Sequence, residues 1–204
     1  MRKLSKLCAV ILLLCVIAAV PTVYRGFKLY ENAMETASVE EKVSQIRNNA
    51  QYVSLSDMDE YFVQEIIESE DKRFYWHFGV DLLAVARAVK NDLIAGSFVE
   101  GGSTITQQLA KNMYFEFDKV MERKVAEVFV AFQLEHKYTK DEILELYLNC
   151  IYFGENCYGI QQASDYYYGI TPGQLTEEQA DSLVYTIKCP NLYNPVAMAE
   201  NPAE

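Results

Sequence analysis

Three short stretches of this sequence concentrate residue types that do chemistry. The first, Glu70-Asp71-Lys72-Arg73-Phe74-Tyr75-Trp76-His77-Phe78-Gly79, sets two acids beside bases and four aromatic rings. A carboxylate desolvated by aromatic neighbours has its pKa raised, which suits it to proton transfer near neutrality. Taken alone, the stretch reads better as a helix end with Glu70 a solvated acid. The second, Gly101-Gly102-Ser103-Thr104-Ile105-Thr106-Gln107-Gln108-Leu109-Ala110-Lys111-Asn112, runs a glycine turn into hydroxyls, amides and one ammonium. Backbone N–H groups at a helix start, hydroxyls and Lys111 together suit a phosphate or a sugar, and this polar set exceeds what a helix cap requires. It is not a Walker loop. The third, Arg123-Lys124-Val125-Ala126-Glu127, puts a carboxylate one turn after two cations on an otherwise apolar helix. Helical pairs of this kind are common and weak, so the spacing alone leaves Glu127 either ion-paired to Arg123 or kept for function.

The elements that must position these residues read as helices. Ser56 with Asp59 is a capping-box start for a helix that ends near Glu70, with Tyr61, Phe62, Ile66 and Ile67 as its apolar stripe. Residues 81–95 form a second helix, with Leu82, Val85, Ala86 and Val89 at helical spacing, stopped by Gly96. Ser103 or Thr104 caps a third through Asn112, and after a loop over 113–120 a mostly apolar helix runs over 121–138. Thr139 with Glu142, and Thr176 with Gln179, open two more, and residues 159–168 form another. Only the stretch near Ala50–Leu55 suggests a strand, and no repeat is present. The fold class is predominantly α.

With 204 residues, 50% hydrophobic and 23% charged, the chain has enough apolar content for one domain of ordinary size and is neither disordered nor multidomain. Its formal charge is −11, and five basic residues (Arg2, Lys3, Lys6, Arg25 and Lys28) precede the first acid, Glu31, so the remainder carries −16. So acidic a domain is a poor general binder of nucleic acid, and any phosphate it takes must meet a local basic cluster. Leu7 to Val20 is an unbroken run of 14 apolar residues behind three cations. This reads as a cytoplasmic tail (1–6), a transmembrane anchor (7–24), a stalk or helical linker (25–50) and an extracytoplasmic domain (51–204), with a cleaved signal peptide as the other reading. Cys150, Cys157 and Cys189 have no zinc spacing; a Cys150–Cys157 bridge and three partly buried thiols both fit.

In their order and content these stretches resemble the peptidoglycan glycosyltransferases of bacterial cell-wall synthesis. The segments EDKRFYWHFG, GGSTITQQLAKN, RKVAE, KDEILELYLNCIYFG and YYYG…LTEEQADSLVYTIKCPNLYNP correspond to that family's motifs in sequence order, over roughly residues 55–195. With the chain stopping at Glu204, the resemblance is to the monofunctional members, related to the glycosyltransferase domain of class A penicillin-binding proteins. It implies a lysozyme-like helical fold with a membrane-associated subdomain and an N-terminal transmembrane helix, on the outer face of a bacterial cell membrane. The implied reaction polymerises lipid II into β-1,4-linked glycan with inversion and releases undecaprenyl pyrophosphate, with roles in cell-wall biogenesis and cell shape. The resemblance makes Glu70 the general base and Glu127 the second acid, which organises the donor's pyrophosphate site through neighbouring cations or a divalent cation such as Mg or Mn. It puts Lys111, Arg123 and Lys119 on the phosphates, and Arg87, Ser103 and Gln107 along the sugar and phosphate path. Its partners are lipid II, the growing glycan chain, the membrane and other cell-wall synthesis proteins, with no nucleic acid. The sequence departs from the family's pattern at Lys119, where an arginine is frequent, at Ala126, where relatives are often basic, and at Asp181, where small residues are usual. A lytic lysozyme-like hydrolase and a catalytically weak lipid II-binding scaffold are the rival readings.

Overall fold

The computed structural model describes residues 2–97, 101–115 and 121–200, with side chains from residue 17 onward. The described residues form helices α1 (Arg2–Thr36), α2 (Val39–Arg47), α3 (Glu60–Glu70), α4 (Leu82–Ala95), α5 (Ile105–Tyr114), α6 (Met121–Lys137), α7 (Lys140–Leu148), α8 (Ile160–Tyr168), α9 (Glu177–Lys188) and α10 (Pro195–Glu200). No strand occurs among them; the one β-type contact is an isolated antiparallel bridge between Tyr152 and Tyr158.

The core is built around α7. Ile143, Leu144, Leu146, Tyr147 and Leu148 are all fully buried, while Asp141 at the start of the helix stays exposed, so the last turns of α7 are the part enclosed by the core. Ile105, Leu109, Ala110 and Met113 of α5 pack on it, Val130 and Leu134 of α6 close one flank, and Phe62 and Ile66 of α3 meet Ala180 and Leu183 of α9 within the same cluster.

Local starts follow capping chemistry. Thr139 and Thr176 close reciprocal capping boxes with Glu142 and Gln179, as their spacing predicts. α4 ends at Gly96, whose φ of 64° is the left-handed conformation a helix stop favours. The start of α3 differs from expectation: its cap is Asp59, which accepts from Phe62 N–H, while Ser56 lies in a separate 3₁₀ turn, Leu55–Asp57. Nor does the segment near Ala50–Leu55 make a strand. The Asn149 side chain takes the strand partner's place, its Oδ1 accepting from Val53 N–H and its Nδ2 donating to Val53 C=O, both at 2.8 Å.

Residues 25–50, read as a stalk or helical linker, are helical through Thr36 and again over Val39–Arg47, and they pack against the rest. Val39 and Val43 lie in the core, Phe27 and Tyr30 meet Phe129 of α6, and Tyr114 donates to Ala37 C=O. The apolar run of the expected anchor falls within α1, and most of its side chains lie outside the described residues; among the described residues no helix is long and apolar enough to cross a membrane. Along α4 the periodicity is helical, but the stripe is not core. Leu82, Val85, Val89, Leu93 and Ile94 are exposed, and only Ala88 is buried. Cys150, Cys157 and Cys189 are all free thiols, with no bridge between Cys150 and Cys157.

Candidate active site

The first two chemical stretches are stitched together by a buried carboxylate. Asp71, immediately after α3, accepts from Ile105 N–H at 3.0 Å at the start of α5 and from His77 Nε2 at 2.9 Å. Thr104 caps α5 in a reciprocal box with Gln107 and donates its hydroxyl to Gly79 C=O at 2.7 Å. The end of α3 and the first turn of α5 are thereby fixed to each other. One turn into α5, Gln108 donates from Nε2 to Glu70 Oε2 at 2.9 Å. Its Oε1 accepts the hydroxyl of fully buried Tyr147 at 3.0 Å, so one amide face is committed to Tyr147 and the other to Glu70. Burial pushes the Tyr147 phenol far above its ordinary value, with the Glu70 charge adding to the effect, and it stays a donor throughout.

Glu127, on α6, is 1% exposed. Arg123 Nε lies 3.0 Å from its Oε1 and Lys124 Nζ 2.7 Å from its Oε2; Lys124 also donates to Ser103 Oγ at 2.6 Å, tying the glycine turn to α6. Desolvation lowers the pKa of the Lys111 ammonium, and the Glu127 charge opposes that shift.

Glu70 and Glu127, 57 positions apart in sequence, line one cleft of about 770 Å³ together with Arg87, Ser103, Gln108, Lys111, Arg123, Lys124 and Lys188. Five basic side chains against two carboxylates make this a positive recess in an otherwise acidic protein, the local cluster that a phosphate ligand requires. The donor set does not fit a divalent cation at Glu127, because both carboxylate oxygens already face cations and such a metal needs several oxygen ligands.

Of the residues singled out from the sequence, the cleft unites Glu70, Glu127, Lys111, Arg123, Ser103 and Arg87. Gln107 does not line it; buried, it accepts from Thr104 N–H at 3.1 Å in the capping box. The Thr-x-x-Gln spacing carries that role openly. Lys119 lies outside the described residues. Gln108, Lys124 and Lys188 line the cleft beyond the expected set, and of these the first two stood in the stretches already marked as chemical. The aromatic rings of residues 74–78 are not in its lining: Phe74 is core, whereas Trp76 and Phe78 border a separate apolar groove with Leu82, Leu83 and Phe132. Ala126 is fully buried, so this departure lies in packing rather than in the cleft lining, and Asp181 accepts from Tyr61 O–H at 3.1 Å, linking α9 to α3.

A family model described as transglycosylase matches residues 36–204. Among curated relatives, penicillin-binding protein 1F of Bacillus subtilis is 45% identical over 157 residues, covering 77% of this chain and 22% of the relative. Penicillin-binding protein 1A of Neisseria lactamica is 41% identical over 150 residues, 74% of this chain and 19% of the relative. Penicillin-binding protein 1A/1B of Bacillus subtilis is 44% identical over 146 residues, 71% and 16% respectively. The chain thus spans about a fifth of the length of the relatives it matches.

Proposed function

The chain belongs to the transglycosylase family, enzymes of peptidoglycan glycosyl transfer, and from that premise we propose that it polymerises lipid II into β-1,4-linked glycan strands and releases undecaprenyl pyrophosphate. The observation that carries this reading is a carboxylate held by an amide within a cleft that also holds a basic cluster around a second, buried carboxylate.

In this mechanism Glu70 takes the proton of the acceptor's 4-hydroxyl. That oxygen forms a bond to the donor's anomeric carbon as the bond from the same carbon to the phosphate oxygen breaks, and the configuration inverts. The electron pair leaves on the pyrophosphate, where Lys111, Arg123, Lys124 and Lys188 meet the developing charge. Glu127 acts through its neighbours: it holds Arg123 and Lys124 in place and keeps a cluster of cations from repelling itself apart. Ser103 fixes Lys124, and Arg87 guides the phosphate path. Lys119 belongs to the same phosphate contacts by family resemblance. A hydrolase acting on finished glycan would have no use for this density of positive charge, which disfavours the lytic reading.

The reading includes a lysozyme-like helical fold, a single N-terminal span over residues 7–24 and a domain on the extracytoplasmic face, with lipid II, the growing glycan, the membrane and other cell-wall synthesis proteins as partners. The exposed apolar face of α4 and the groove bordered by Trp76 and Phe78 support a membrane-associated subdomain.

The test is incubation of the detergent-solubilised chain with labelled lipid II, with and without muramidase, beside Glu70→Gln. The expected result is a muramidase-sensitive polymer from the wild type alone, the variant losing about 10²-fold or more in rate. Near-normal turnover by Glu70→Gln would remove it as the base. Glycan cleavage, or lipid II binding without polymer, would replace polymerisation with the hydrolase or the scaffold.

A further inference from the structure

The cleft holding Glu70 is one of three linked hollows. Gln108, Lys111, Ile187 and Lys188 also line a second hollow of about 490 Å³, which extends to Tyr152, Tyr158 and Asn191. Asn112 and Tyr158 line in turn a third, of about 260 Å³, that reaches Lys42, Gln45 and Asn49. These last three residues follow helical spacing along and just beyond α2, on the flank beside the core face of Val39 and Val43.

Unlike the cleft, neither far hollow has a carboxylate in its lining among the described residues, and both combine apolar and aromatic surface with amides. The amides are Gln108, Asn112 and Asn191 in the second, and Gln45, Asn49, Asn112 and Asn149 in the third. Amides both donate and accept, which matches sugar hydroxyls and N-acetyl groups. Tyr158 is half exposed and packs on Tyr152 with ring centroids 4.9 Å apart, while the Tyr152 hydroxyl donates to Asn191 at 3.0 Å, so this aromatic surface is held rigid. A rigid aromatic body with polar tips, flanked by amides, offers a pyranose an apolar face and a hydrogen-bonding edge. A small ligand would fill one hollow; successive hollows that share lining residues fit a polymer of repeating polar units. Asn149, at the base of the third hollow, is fully committed to Val53 and Glu145 and serves as its frame.

We infer that Lys42, Gln45 and Asn49, with Asn112 and Tyr158, form a distal saccharide subsite that holds the glycan at a distance from the bond being formed. This rests on the proposed glycan polymerisation and deepens it: α2 contributes to retention of the chain, and Lys42, whose ammonium lies 5.6 Å from the centre of the Tyr114 ring, is the cation in this hollow for an acidic group on it.

The experiment titrates soluble oligosaccharides of alternating N-acetylglucosamine and N-acetylmuramic acid (disaccharide, tetrasaccharide and octasaccharide) into the detergent-solubilised full chain, followed by calorimetry. The octasaccharide is expected to bind about tenfold tighter than the tetrasaccharide, the gain of a few added hydrogen bonds. The triple variant Lys42→Ala, Gln45→Ala, Asn49→Ala is expected to lose that gain, its thermal midpoint reporting that it is folded. Equal affinities for tetrasaccharide and octasaccharide in the wild type would overturn the subsite without reference to any variant, as would the full gain surviving in a folded triple variant. A wild type that polymerises lipid II yet shows no length dependence would overturn the subsite alone. One that makes no polymer would overturn the catalytic reading instead.

Discussion

Glu70 receives a hydrogen bond from Gln108, whose amide is in turn oriented by Tyr147. Gln108 is a positioning residue, and Gln108→Ala is expected to lower kcat about 10- to 100-fold by releasing the carboxylate to other rotamers, with Tyr147→Phe lying between it and the wild type. Equal kcat in all three, in a lipid II turnover assay, would detach this chain of bonds from catalysis. Choosing between Gln107 and Gln108 illustrates what the sequence withholds. Both stand in one polar run, and only the capping arithmetic from Thr104 assigns Gln107 to the backbone, leaving Gln108 for the cleft. Lys111 carries a different consequence. Burial lowers its pKa, so in the folded state the ammonium is disfavoured. That cost to stability is present at neutral pH and fades as pH rises through the folded value toward the ordinary 10.5. Lys111→Met is therefore expected to raise the thermal midpoint by a few degrees while weakening donor use about tenfold or more. The same shift makes donor affinity fall on the alkaline side at a pH below 10.5, a fall that Lys111→Arg, whose guanidinium stays charged, is expected to remove. An unaltered alkaline limb in Lys111→Arg would assign that limb to another group.

Helices were legible where a capping box opened them, and α7 and α9 start at the boxes that Thr139 with Glu142 and Thr176 with Gln179 spell out. α3 began later than expected because two candidate caps, Ser56 and Asp59, stand three residues apart, and the tertiary position of the Leu55–Asp57 turn decided for Asp59. Periodicity identified α4 as a helix but carries no label for what its stripe faces, and there the stripe faces outward. The packing of α1 and α2 was hidden for the opposite reason: their contact residues are diluted among charges, as in Val-Glu-Glu-Lys-Val. One glycine makes the α1 contact testable. A Cβ at Gly26 would stand 2.5 Å from Val125 Cβ and 2.7 Å from Glu122 C=O, so even alanine must push α1 from α6. Gly26→Ala is expected to cost about 1–3 kcal/mol despite the better helix propensity of alanine, and because Val125 lies two residues before Glu127, kcat should fall with it. A thermal midpoint at or above that of the wild type would mean that α1 does not rest on α6 in the working enzyme.

At the scale of the whole molecule the acidic surface and the basic cleft act over different ranges. From Glu31 onward the chain carries −16, yet the recess between Glu70 and Glu127 gathers five cations. Contacts inside a half-buried cleft are short and little screened, whereas the surface field acts across water and decays over a Debye length of about 10 Å at 0.1 M salt. A lipid-linked substrate must be met at a membrane surface, and an acidic domain working against anionic lipid is held off by its own field. Polymerisation in anionic vesicles is therefore expected to speed up several-fold as salt rises from about 10 to about 150 mM, because screening relieves the repulsion before it reaches the cleft contacts. In vesicles of neutral lipid no such gain should occur, and a slight loss is expected from weakened phosphate binding. This sign is the reverse of that for a basic peripheral protein. Initial rates on the two vesicle types at the two salt concentrations decide it: a fall with salt on anionic vesicles would mean that Arg2, Lys3, Lys6, Arg25 and Lys28, rather than the acidic domain, set the field the membrane feels.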